Sequence, residues 1–145
     1  MTKSQNKKAL TVAGLAVAMA VSTVPALAGP EEDAFAKAGY NMCDAKVLGA
    51  YYGDKLVKRV VFGAGEKIHN GDADIIAEDF INARKEQEFN VALCPAEEFY
   101  SADEIKLYMT AMDLGTVSEA SKKISENLIY GYKEDVDQQI EFARP

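Results

Sequence analysis

The stretch Asn41-Met42-Cys43-Asp44-Ala45-Lys46-Val47-Leu48 sets one of the chain's two cysteines at the start of a helical pattern. From there Ala45, Leu48, Gly49 and Tyr52 fall at i, i+3, i+4 and i+7, the spacing of one helix face, and Gly53-Asp54 stops the run. The second cysteine, Cys94, precedes Pro95, which drives it towards extended backbone, and lies in a segment without helical periodicity. The pair reads as a clamp from the first helix to a central connection.

Upstream, Lys3, Lys7 and Lys8 precede an uncharged apolar run from Ala9 to Val24 and an Ala26-Leu27-Ala28 cleavage pattern. Residues 1–28 therefore read as a signal peptide, cut after Ala28, and the apolar run is too short and too closely followed by that pattern for a retained membrane anchor. The expectation is a periplasmic or secreted chain. In an oxidising compartment, two cysteines with no Cys-x-x-Cys spacing predict a structural disulfide, Cys43 to Cys94.

Cleavage would remove 28 of 145 residues, with three of the sixteen bases and none of the acids. The remaining 117 residues carry 13 bases against 23 acids, a formal charge of −10, and have the length of one domain. Such a charge repels phosphate backbones and anionic headgroups, so nucleic acid and membrane insertion after cleavage are excluded from the expected partners.

Residues 29–39, with Glu31, Glu32 and Asp33 in a row and Phe35 alone among small residues, read as a flexible acidic arm; a single helical domain is expected over 40–145. Val57, Val60, Val61, Ala64 and Ile68 keep helical spacing up to Asn70-Gly71. Against a helix over 57–68, Gly63 and Gly65 each cost about 1 kcal/mol relative to Ala, and Val60-Val61-Phe62 favours a strand. A third helix is expected from Asp72 or Asp74, with Ile76, Phe80 and Ala83 inward, fading near Gln87.

After a connection over 88–100, Ser101 to Glu104 and Thr116 to Glu119 both match a capping box. The helices they open bury Ile105, Tyr108, Met109 and Met112, then Val117, Ala120, Ile124 and Leu128, and a last helix carries Val136, Ile140 and Ala143. The fold class expected is all-α, a small bundle of about five to six helices with one disulfide.

Sliding 40–84 over 100–144 without a gap gives seven identities, among them Tyr40 with Tyr100, Gly71 with Gly131 and Ala83-Arg84 with Ala143-Arg144. Roughly three would follow from composition. The inward positions recur in phase, apart from Gly49 opposite Met109 and Val61 opposite Ser121. Two duplicated three-helix units joined by 88–100, or two unrelated amphipathic segments in phase, both account for the pattern, and both give an all-α domain.

His69 is the only histidine, so zinc sites with two histidines are impossible, and Gly-x-Ser-x-Gly and Cys-x-x-Cys-His are absent. The acids Asp72, Asp74, Glu78 and Asp79 do not form an EF-hand, because Ile75 and Ile81 stand where glycine and a bidentate glutamate are required from Asn70; they read as helix-start acids. Glu97-Glu98 reads as a pair of solvated loop acids. No catalytic residue, metal or cofactor is assigned. Tyr51, Tyr52, Tyr108, Met109 and Met112 on the two matched helices form the candidate binding face, since Met and Tyr suit an apolar groove as well as a core.

The function expected is non-enzymatic binding of a protein partner or a small apolar ligand; an enzyme of unrecognised class is a competing reading. A small exported acidic helical chain with one long-range disulfide is also similar, in size, compartment and cysteine number, to the acid-activated periplasmic chaperones. That similarity implies a holdase triggered by low pH.

Overall fold

The computed structural model describes residues 29–145; the segment read as a signal peptide lies outside the described residues. Seven α-helices are present there: α1 (Pro30–Lys37), α2 (Met42–Tyr52), α3 (Val57–His69), α4 (Ala73–Glu86), α5 (Ala102–Ala111), α6 (Val117–Ile129) and α7 (Lys133–Ala143). Two 3-10 turns, Val91–Leu93 and Ala96–Glu98, occupy the connection between α4 and α5. No described residue is in a strand, so the chain is all-α.

The helix starts follow local chemistry. Asn41 Oδ1 accepts from the Asp44 amide at 3.1 Å while Asp44 Oδ2 accepts from the Asn41 amide at 2.9 Å. Ser101 and Glu104 repeat this reciprocal exchange at 3.2 and 2.9 Å. Thr116 makes only half of the expected box: its Oγ1 accepts from the Glu119 amide at 3.0 Å, and the Glu119 carboxylate lies 3.4 Å from the Thr116 hydroxyl. At the other end of α3 and of α6, Gly71 and Gly131 adopt left-handed backbone (φ +94° and +87°), and Asp72 and Tyr132 donate back to Lys67 and Asn127, both at 2.8 Å. These are matching helix stops, which only glycine allows without strain.

Helices α2, α3 and α4 pack pairwise, and α5, α6 and α7 do the same. Starts at 42, 57 and 73 recur sixty residues on at 102, 117 and 133. In the first group α1 covers α3; in the second, the two 3-10 turns cover α6. The groups meet where α6 packs on α2, beside the Cys43–Cys94 disulfide, whose sulfur atoms are both buried. Leu48, Ile76, Phe80, Ile105, Tyr108, Ile124, Leu128 and Val136 fill the core.

Residues 29–39 are not a flexible arm. Pro30 to Lys37 form a helix seated on α3, with Phe35 buried and its ring 5.3 Å from that of Tyr40 and 6.5 Å from that of Phe80. Acids at the start of α1 suit the positive end of the helix dipole, and Glu32 accepts from the Gly29 amide at 3.0 Å. The same contact resolves the ambiguity over 57–68. This segment is helical throughout, and a Cβ on Gly65 would lie 1.8 Å from the Glu31 carbonyl oxygen, so the absent side chain lets the α1 backbone rest on α3. The cost of glycine within the helix is offset by burying Phe35.

Candidate ligand-binding surface

The five Tyr and Met positions expected to form one binding face do not converge. Tyr108 is 2% exposed, and its hydroxyl accepts from Asn127 Nδ2 at 3.1 Å. Met109 packs partly buried against the core, and Met112 is exposed beyond the end of α5. Tyr51 is half-buried; Tyr52 is exposed and its hydroxyl donates to Asp79 on α4. Burial first, then this carboxylate, pushes the Tyr52 phenol above its ordinary value. Helix α2 packs on α3, α4 and α6, whereas α5 packs on α6 and α7, so the two sets belong to separate parts of the bundle. Helical spacing marks Leu48, Ile105 and Tyr108 as inward correctly, but Tyr52 and Met112 overhang the core at the ends of α2 and α5, and Val117, also expected inward, is exposed at the first position of α6.

The other candidates stand apart from one another. His69 is exposed at the last position of α3. Asp72, Asp74 and Glu78 are exposed at the start of α4, where Asp72 takes the cap position without a side-chain bond. Glu97 accepts from Ser121 at 2.7 Å, which holds its carboxyl below the usual range, and Glu98 pairs with Lys46 at 2.5 Å. Both acids tie the connection to neighbouring helices. Among the described residues no group of three or more His, Cys, Asp or Glu side chains is placed to hold a metal ion.

A concave surface exists elsewhere, between α2 and the start of α3. Gly53, in left-handed backbone at φ +74°, ends α2, and the Asp54 amide donates to the Gly49 carbonyl at 2.8 Å. A Cβ on Gly49 would stand 2.7 Å from the Asp54 carbonyl oxygen, so the chain doubles back closely over α2. Asp54 then accepts from the Leu56 amide at 2.9 Å and from Arg59 Nε and Nη2 at 2.6 and 3.1 Å, and this paired guanidinium holds its carboxyl below the usual value.

This turn bounds two neighbouring hollows. One, of about 440 Å³, lies over Ala45, Gly49 and Ala50 and reaches Leu93 of the connection. The other, of about 620 Å³, runs along Leu56, Arg59 and Phe62 to Glu32 of α1. Lys55 and Val57 line both. Leu56 is 57% exposed and Phe62 45% exposed at this surface, although the N-cap position that Leu56 holds ordinarily favours Ser, Thr, Asp or Asn. Arg59 and Lys46 are paired with Asp54 and Glu98, while Lys55 and Lys58 make no ion pair among the described residues.

The candidate face drawn from sequence does not include this surface, whose walls lie within 45–62 with Glu32 and Leu93 added from α1 and the connection, because the closeness of α2 to the start of α3 depends on the chain doubling back at Gly53. A signal was nonetheless available in Lys55-Leu56-Val57-Lys58-Arg59, three bases around two apolar residues in an otherwise acidic chain. No family model, curated protein or solved structure matches this chain.

Proposed function

We propose that the chain is an exported, non-enzymatic binding protein and that the surface between α2 and α3 takes a small apolar ligand. One observation carries this reading: two adjoining hollows share Lys55 and Val57 and run beside the exposed Leu56 and Phe62. Each hollow falls within the roughly 300–1,000 Å³ of small-molecule sites, where concavity lets one ligand bury much of its surface. Ala50→Phe places a ring in the first hollow. Native mass spectrometry of protein isolated from periplasmic extract is expected to show an apolar small molecule on the wild type and none on A50F at unchanged melting temperature. Equal ligand occupancy in the two would remove the reading.

A second reading, an acid-triggered holdase, is favoured by a different observation. Carboxylates tie separate elements together: Asp79 to Tyr52, Asp137 to Tyr100, Glu88 to Tyr130 and Glu97 to Ser121. Protonation weakens each of these bonds as acceptor interactions, while the disulfide persists. Light scattering of an acid-labile client at low pH tests it.

A further inference from the structure

We infer that the ligand of the α2–α3 surface is an anionic single-chain amphiphile, a free alkyl carboxylate, with its head group at Lys55 and Lys58 and its chain running from Leu56 past Val57 into the hollow over Ala45 and Ala50; the inference rests on the small-ligand reading above. Charge selects the head group. Residues 55–69 hold four bases against Glu66 alone, whereas the rest of the described chain, the 13 bases less these four and the 23 acids less this one, holds nine against 22. The hollow is therefore bordered by the one strongly basic stretch among the described residues, in an otherwise acidic surround. The hollow at Leu56 is lined by three bases, Lys55, Lys58 and Arg59, against Glu32; Arg59 is held by Asp54, and the two lysines make no ion pair among the described residues.

Geometry and charge together also select a free molecule over a bilayer. The apolar chain is taken up in the hollow over Ala45, Gly49 and Ala50 that reaches Leu93, between α2, the start of α3 and the Val91–Leu93 turn, where a single chain fits better than a planar surface. An anionic bilayer meets the whole acidic molecule and is repelled, whereas a single carboxylate meets Lys55, Lys58 and Arg59 against Glu32 alone. A cationic amphiphile would have the same chain to bury but would face Lys55 and Lys58 with like charge.

The test uses the purified oxidised protein at neutral pH and low salt, titrated calorimetrically with dodecanoate, dodecanol and dodecyltrimethylammonium below their micelle concentrations. Dodecanoate is expected to bind one to one and about tenfold more tightly than the cation, the preference that two solvent-exposed ion pairs supply. K55E/K58E, changed at exposed positions, should abolish that preference while retaining the wild-type circular dichroism, and A50F should abolish binding. Equal affinity for the two head groups, or a preference unchanged in K55E/K58E, overturns the inference, as does flotation of the protein with phosphatidylglycerol vesicles. Binding of dodecanol without dodecanoate sinks the anionic class and leaves the small-ligand reading standing; binding of none of the three, with A50F indistinguishable from wild type, sinks both.

Discussion

Asp44 and Glu104 occupy the same place in α2 and α5, each returning a hydrogen bond to the residue that caps its helix, and each meets an arginine at the far end of its group. Arg84 Nη2 lies 3.0 Å from Asp44 Oδ1, and Arg144 Nη2 lies 3.4 Å from Glu104 Oε1. Burial separates the two pairs: the Asp44 side chain is 3% exposed and that of Glu104 33%. Arg84 also lays its guanidinium 4.8 Å from the centre of the Phe80 ring, and its buried Nε has no partner among the described residues. Breaking a buried pair strands the remaining charge, so Arg84→Met is expected to cost about 3–5 kcal/mol. Arg144→Met should cost no more than about 1 kcal/mol, since an exposed pair is screened by water. Urea unfolding of the two variants provides the comparison, and equal losses would show that burial does not distinguish them. Gly131 belongs to the same contact, because a Cβ there would stand 2.7 Å from Arg84 Nη2.

Among the elements, α1 depends most on a single distant residue. Gly65→Ala puts a methyl group where the Glu31 carbonyl now lies, so α1 must lift or α3 must bend. Overpacking of this kind costs about 1–3 kcal/mol, and hydrogen exchange should show amides of residues 33–37 losing protection before those of α5 to α7. Unchanged protection in α1 would mean that the two backbones separate without loosening the helix. A second contrast concerns the starts of α3 and α6: Thr116→Ala removes a cap and should cost about 1 kcal/mol, while Leu56→Thr supplies the corresponding one and should stabilise by a similar amount. Thermal melts of the two variants should move in opposite directions. These starts show what was legible from sequence. Capping residues act within four positions, so the Ser101 and Thr116 helices can be read directly, as can the glycine stops at 71 and 131. Helix α1 cannot, because Phe35 looks solitary until Tyr40 and Phe80 come together around it and Gly65 admits the Glu31 backbone. The Tyr and Met positions spread apart for the converse reason: Tyr52 and Met112 are in phase with the core and extend past its edge.

At the scale of the whole molecule the decisive variable is acid. From Gly29 onward 23 carboxylates face 13 bases, so below about pH 3, where most carboxylates are neutral, the molecule changes from anionic to cationic. Asp54 and Glu97 have carboxyls held below their ordinary values, by Arg59 and by Ser121. Their contribution is present above the unfolded values, 3.8 and 4.5, and is lost as pH falls through the lower folded values. Asp44 works in the opposite sense. Burial raises its carboxyl against the lowering by Asn41 and Arg84, so its ionised form is a penalty that fades as pH falls from the raised folded value towards 3.8. One carboxylate with this sign stands against two with the other, so net stability should decline below about pH 4. The disulfide closes a loop over a sequence separation of 51 and contributes roughly 4 kcal/mol in the chain-entropy account. Oxidised protein should therefore loosen in acid at a lower pH than reduced protein, retaining far-ultraviolet dichroism while binding an apolar dye, and recover on neutralisation. Coincident acid transitions for the oxidised and reduced forms would rule out the disulfide as the restraint. If the loosened state is a holdase, it should suppress scattering from an acid-labile client in proportion to its dye binding; scattering that is the same with and without the protein would leave acid as a destabilising condition alone.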